Sequence, residues 1–274
     1  MLNSVLLHLE GAAQARPVIR LGVDLARQTE ARVRGLTLLD TRRMVQASHC
    51  ESAVYALAAQ SHQMLSERQQ ADLRADLSQA CLAAGIDFDV RRSSGDPLQL
   101  LTLEARFHDL MVTSIAPANE SSVTRAQWSL SDLIELLDRD VHPLLVAHEN
   151  QATIRRVLLA YDGTVPAGRA IRSFLTANIF TQADHRLLAI GRTEAQARRH
   201  LREMADYCVA HRRPWEAGFV CGKLRRVLTQ YAEKWQADLV VLGIGRTHRL
   251  LRRLLGHPSQ DLLSKTPCAW YVSA

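Results

Sequence analysis

Nowhere in the 274 residues is there a run of the roughly eighteen apolar residues that a membrane-spanning helix needs, although 47% of the chain is apolar. The opening stretch, MLNSVLLHLEGAAQARP, has neither a basic leader nor an apolar core long enough for export, so the expected location is cytoplasmic and no membrane is expected as a partner. The five cysteines (Cys50, Cys81, Cys208, Cys221, Cys268) are scattered, odd in number and free of any CxxC or Cys/His cluster, which favours core packing over disulfide, redox or metal use. Eleven histidines form no HExxH and no tight cluster, so no metal is expected. There is no GxSxG elbow and no P-loop, and no nucleophile or acid/base pair stands out, so catalysis has no visible machinery. Without a helix-turn-helix, finger or RRM signature, a sequence-specific nucleic-acid reader is not expected either.

Lysine is missing from residues 1–150, which hold 14 Arg against 19 Asp and Glu for a net charge of −5. Residues 151–274 hold 20 Lys and Arg against 9 Asp and Glu, a net of +11. This asymmetry fits an anionic ligand on the second half, mutual attraction of the halves, or a solvated arginine-rich surface.

What the chain does have is a pattern that occurs twice. Ser4-Val5-Leu6-Leu7 followed by Glu10-Gly11 answers Val157-Leu158-Leu159-Ala160 followed by Asp162-Gly163, each a short apolar strand ending in an acid-glycine turn. Helical segments follow at 17–29 and 166–180, then second strands at 33–39 and 185–190. Long helical stretches at 52–84 and 194–212 lead to third strands at 87–91 and 215–220. Gly95-Asp96-Pro97 and Gly222-Lys223-Leu224 then open helices at 98–107 and 224–235. Fourth strands are DLMVT (109–113) and DLVVLG (238–243), and fifth strands are 144–148 and 269–273.

Short apolar strands alternating with helices predict an α/β fold of two doubly wound five-stranded parallel-sheet domains, residues 1–150 and 151–274. With strand one central, strands two and three on one side and four and five on the other, the loops after strands one and four flank the switch point where ligands bind. In the second copy those loops are Asp162-Gly163-Thr164 and residues 243–247. The two fifth strands are the natural pair to join the halves, which would cover two sheet edges at once and make the single chain an intramolecular pseudo-dimer.

The second fourth strand runs into GIGRTHRLLRRLLGHP, with Gly243 and Gly245 at its end and Gly256 closing a basic amphipathic segment. Arg246, Arg249, Arg252 and Arg253 share a face there, with Leu250, Leu251, Leu254 and Leu255 opposite. A glycine turn between strand and helix lets backbone N–H groups approach phosphate oxygens. The first copy runs instead into SIAPANESSV, with no glycine; Asn119, Ser121 and Ser122 are its polar residues.

With these landmarks in this order, twice, the chain resembles a tandem universal stress protein, two UspA-type domains of the adenine-nucleotide α-hydrolase-like fold. The resemblance implies a non-enzymatic role in stress response through binding and a regulatory protein partner. ATP-binding members show Gly, two residues, Gly, nine residues, then Gly followed by Ser or Thr. Here Gly243 and Gly256 hold the outer positions, Arg246 stands at the middle one with a glycine displaced to Gly245, and His257 follows the last glycine, with Ser259 two residues on. Asp162, beside Gly163, matches the acid that the family places near the adenine end. The resemblance therefore implies ATP, AMP or another small anion in the second domain, and no nucleotide motif in the first, where Glu10 replaces the aspartate. Two other functions remain open: an ATP-hydrolysing or nucleotidyl-transfer enzyme of the wider adenine-nucleotide α/β group, and an anion or nucleic-acid binding module on the basic half.

Overall fold

The structure, a computed structural model, describes residues 2–40, 53–115, 128, 130–139, 141, 143–149, 153–211, 215–244 and 268–273. The first half contributes β1 (Ser4–Leu9), α1 (Ala12–Thr29), β2 (Arg32–Asp40), α2 (Ala53–Ala84), β3 (Phe88–Gly95), α3 (Pro97–Ala105), β4 (Leu110–Ser114), α4 (Leu130–Asp138) and β5 (Leu144–Ala147). The second contributes β6 (Arg156–Tyr161), α5 (Val165–Ala177), β7 (Asp184–Gly191), α6 (Glu194–Ala210), β8 (Trp215–Cys221), α7 (Leu224–Trp235), β9 (Leu239–Gly243) and β10 (Ala269–Ser273).

Local chemistry sets several of these boundaries. Asp96 accepts from the Leu98 amide at 2.9 Å with Pro97 as the first helical residue, so α3 starts on a side-chain cap and a preset φ. Gly95 is the end of a longer β3 rather than the opening of that helix. The helix expected from residue 17 begins at Ala12 and carries Pro17 inside it, past the first turn, where the ring removes the amide that would otherwise bond to the Ala13 carbonyl. Helix α4, between the fourth and fifth strands, had no counterpart in the sequence pattern; it buries Leu133, Ile134, Leu136 and Leu137.

The strand order is β3-β2-β1-β4-β5-β10-β9-β6-β7-β8, so strand one is flanked by strands two and four in each half, as the switch-point argument requires. All neighbours run parallel except β5 and β10, which pair antiparallel with Leu144, Leu145 and Val146 opposite Val272, Tyr271 and Trp270. As expected from the two fifth strands, the β5–β10 pair joins the two five-stranded parallel sheets into one mostly parallel sheet of ten strands. The joining strands are apolar and buried, and each covers the other's edge.

Alternate residues of each strand enter opposite layers. Leu7, Val112, Leu145, Tyr271, Val241 and Leu159 pack into a layer with residues of α1, α2, α5 and α6. Leu6, Met111, Leu144, Trp270, Val240 and Leu158 pack into the other with residues of α3, α4 and α7. Both layers run through both halves without a break at the seam. Cys81, Cys208 and Cys268 are buried, in keeping with a packing role; Cys221 is exposed, and Cys50 lies outside the described residues.

The aspartate preceding each fourth strand performs the same task in both halves. Asp109 Oδ2 accepts from the amides of Asn3 and Ser4 at 2.8 and 3.0 Å, and Asp238 Oδ2 accepts from those of Arg155 and Arg156 at 2.8 and 2.9 Å. Each carboxylate thus fixes the start of the central strand beside it. Asp109→Ala and Asp238→Ala should each lower unfolding free energy by about 1–3 kcal/mol, and the Asn variants, which keep an acceptor oxygen, by less; urea denaturation reads the difference.

Candidate functional site

At the end of β6 the chain turns through Asp162, Gly163 and Thr164 into α5. Asp162 Oδ1 accepts from the Thr164 amide at 3.1 Å and from its hydroxyl at 2.6 Å, while Thr164 Oγ1 accepts from the Ala167 amide at 3.4 Å. One relay of hydrogen bonds therefore shapes the turn and caps the helix. Gly163 has φ 80°, in the region that favours glycine, and a Cβ there would stand 2.2 Å from His200 Nε2. His200, on α6, is buried; its Nδ1 lies 2.9 Å from the Ile190 carbonyl oxygen, which can only accept, so the proton resides on Nδ1 and the other ring nitrogen faces the turn. The sequence marks His200 only by its spacing with Ala197 and Met204 on the buried face of α6.

Gly243 ends β9 beside this turn. A Cβ on it would lie 2.2 Å from the carbonyl carbon and oxygen of Pro166 and 2.2 Å from the Ala167 amide nitrogen. These are backbone atoms of the first turn of α5 and cannot swing aside, so glycine is required here for closeness of approach. The next residue, Ile244, donates its amide to the Ser273 carbonyl at 2.9 Å, which fixes the point where the chain leaves the sheet. Asp162, Gly163 and Gly243 are thereby brought together at the strand ends, next to the start of a helix.

Strand register defines the counterpart in the first half. Leu7 pairs with Val112 as Leu159 pairs with Val241, so Ser114 stands where Gly243 does and Glu10 where Asp162 does. Ser114 makes the same close approach differently: its hydroxyl donates to the Gln14 carbonyl at 3.1 Å, on the first turns of α1. Glu10 is drawn inward, where burial pushes its carboxyl up to about 7, and its Oε2 accepts from the Trp128 amide at 2.9 Å. His8, at the position of Ala160, is buried and pushed down to about 4 by desolvation; its Nδ1 lies 3.1 Å from Thr113 Oγ1, and its ring meets the Trp128 indole edge-on at 4.8 Å. Sequence reasoning did not group these residues. The available signals were a histidine inside an apolar strand and a tryptophan beyond a polar connection.

The remaining candidates, Gly245, Arg246, Gly256, His257 and Ser259, lie outside the described residues, as do the basic segment with Arg249, Arg252 and Arg253, and Asn119, Ser121 and Ser122. Elsewhere in the basic half, on α6, Arg198 pairs with Glu194 at 2.7 Å and lies over the Phe219 ring, and Arg199 pairs with Glu203 at 3.6 Å, as on a solvated helix face. Among the described residues no group of His, Cys, Asp and Glu is arranged to hold a metal, and no helix is long and apolar enough to cross a membrane.

A mostly parallel sheet covered on both faces, with an acid-glycine turn and a strand-end glycine at the switch point, defines an α/β protein of the doubly wound class. Residues 180–272 match the model of the universal stress protein family. Comparison with curated proteins by sequence finds no match. Among solved structures, a universal stress protein from Archaeoglobus fulgidus DSM 4304 is similar at 15% identity and a TM-score of 0.74, covering 99% of this chain and 96% of that one. A functionally unknown protein from Pseudomonas aeruginosa PAO1 is similar at 13% identity and a TM-score of 0.62, covering 99% of this chain and 92% of that one. The resemblance read from the sequence therefore stands: residues 180–272 match the universal stress protein family, and the whole chain shares the fold of the Archaeoglobus fulgidus universal stress protein.

The two strand-end contacts make opposite demands. Gly243→Ala should destabilise the protein by about 1–3 kcal/mol or more through overpacking against fixed backbone, whereas Ser114→Gly should cost about 1 kcal/mol for a lost hydrogen bond; equilibrium denaturation of both variants checks the contrast.

Proposed function

We propose that this chain is a non-catalytic binding protein of the universal stress protein type, divided at about residue 150 into two domains and acting in the cytoplasm through a regulatory protein partner. In this reading the second domain takes ATP, AMP or another small anion at the ends of β6 and β9. The observation that carries it is the convergence of Asp162, Gly163 and Gly243 on the start of α5, where an acid able to accept from a ligand N–H or hydroxyl lies close to a helix N-terminus that favours negative charge. Gly245, Arg246, Gly256, His257 and Ser259 complete the proposed site: backbone amides at the glycines, a guanidinium for bidentate phosphate contact, and side-chain donors at the far end.

Binding is preferred to catalysis because Asp162 commits Oδ1 to the Thr164 amide and hydroxyl, which suits a shaped rim more than a proton-transfer group. The +11 charge of residues 151–274 is in keeping with an anionic ligand.

Calorimetric titration of the purified protein with ATP and AMP, together with identification of small molecules released on denaturation, tests the proposal. Nucleotide binding is expected, weakened tenfold or more by Asp162→Ala, with no nucleotide turnover. Absence of binding at millimolar nucleotide would overturn the nucleotide reading, and turnover that disappears in Asp162→Ala would replace it with the enzymatic one.

A further inference from the structure

The turn that carries Asp162 is held by a side chain from a second helix. His200, on α6, is 4% exposed, and its Nδ1 lies 2.9 Å from the Ile190 carbonyl oxygen near the end of β7. Its ring meets the Tyr161 ring at the end of β6 edge-on, with centroids 5.8 Å apart and planes at 67°. Fixed by β7 on one side and by β6 on the other, the imidazole presents Nε2 to Gly163. A Cβ on Gly163 would stand 2.2 Å from that nitrogen, 2.5 Å from Cε1 and 2.8 Å from Cδ2, so the hydrogen that takes the place of a Cβ points at the nitrogen end of the ring.

Gly163 has φ 80°, and a residue without a side chain has no packing of its own to hold that angle. A fixed ring against it supplies the restraint. The Thr164 amide follows directly and bonds to Asp162 Oδ1 at 3.1 Å, with the Thr164 hydroxyl on the same oxygen at 2.6 Å. The setting of the Gly163 backbone therefore decides whether Oδ1 is engaged, and with it where Oδ2 is turned.

The first half is built differently at this point. Each third strand begins seven residues after a buried cysteine of the preceding helix, Cys81 or Cys208, and eight residues before that cysteine stand Leu73 and His200. A Cβ on Gly11, the counterpart of Gly163, would meet Gln14 Oε1 at 2.6 Å and Gln69 Nε2 at 3.9 Å, both ends of flexible side chains. Leucine has no polar atom with which to tie itself to a strand. The half that carries Asp162 has the pinned ring, and the half that carries Glu10 has leucine.

We propose that His200 is the positioning residue of the second-half site: acting through Gly163, it sets the turn that aims the Asp162 carboxylate at a bound nucleotide. A rotamer locked by its own hydrogen bond is what allows one group to fix the geometry of the next. The link to a nucleotide rests on the function proposed above, whereas the hold on the turn needs no ligand.

Amide hydrogen exchange at Thr164, corrected for intrinsic rates, and calorimetric titration with AMP test this in the full chain. His200→Leu takes the residue of the first half. Met204→Ala is the control, since Met204 is 8% exposed on the same face of α6 and lies near Gly168, beyond the turn. In His200→Leu, Thr164 exchange should accelerate roughly tenfold and AMP affinity should fall by a similar factor. Met204→Ala should change either by less than about twofold, whatever it costs in stability. Unchanged Thr164 exchange in His200→Leu, or an equal acceleration in Met204→Ala, would overturn the proposal, as would full AMP affinity in a variant whose turn has loosened. If His200→Leu does not fold, His200→Asn, which keeps a donor for the Ile190 carbonyl and is too short to reach Gly163, provides the same comparison. Should the unaltered protein bind no AMP, the nucleotide reading fails and Thr164 exchange alone decides the role of His200.

Discussion

The contact of the β9 terminus with the first turn of α5 is the constraint on which the second-half site depends. Because Gly243 carries no side chain, the strand backbone reaches within touching distance of Pro166 and Ala167. That closeness sets the height of the helix start above the sheet, and Thr164 and Asp162 are tied to it by consecutive hydrogen bonds. His200 closes the same turn from α6 by lying against Gly163. Glycine is needed at two points of one corner for different reasons: positive φ at Gly163 and lack of room at Gly243.

The two halves keep the frame and diverge at this corner. Asp109 and Asp238 anchor the central strands in the same way, and the strand orders mirror one another about the β5–β10 seam. At the strand ends, however, Ser114 replaces a glycine with a hydroxyl that bonds to the helix, Glu10 turns inward, and His8 with Trp128 fills the space above β1 and β4. Among the described residues, Asp162 bonds within its local turn, while Glu10 is tied to Trp128, distant in its own chain. Among the described residues the joining strands pair through Leu, Val, Tyr and Trp side chains that are buried on both faces, and the Phe180 amide of the second half donates to Gln28 Oε1 of the first.

Much of the frame was legible because it rests on local patterns that recur. Short apolar strands in the same order in both copies located all ten strands, a central strand one gave the strand order, and the doubling led to the pairing of 144–148 with 269–273. Pro17 misplaced a helix start because proline at a first turn and proline slightly deeper look alike in sequence. The SDLIELLD helix, between the fourth and fifth strands, was not among the landmarks matched between the copies. The site was harder to read. Gly243 stood out as one of a glycine pair, but its packing on Pro166 depends on a neighbour 77 positions away, and the Glu10–Trp128 contact spans a separation of 118. Such pairings are set by the fold, and a lone Trp or His carries no sign of them.

The measurement that bears most directly on this account is photoaffinity labelling of the intact chain with an azido-adenine nucleotide, followed by peptide mapping with and without excess ATP. The account predicts ATP-protected label on peptides containing Asp162 or the segment that follows Gly243, and none on the peptide containing Glu10. Protected label on the Glu10 peptide, or label that ATP does not suppress anywhere in the second half, would contradict it.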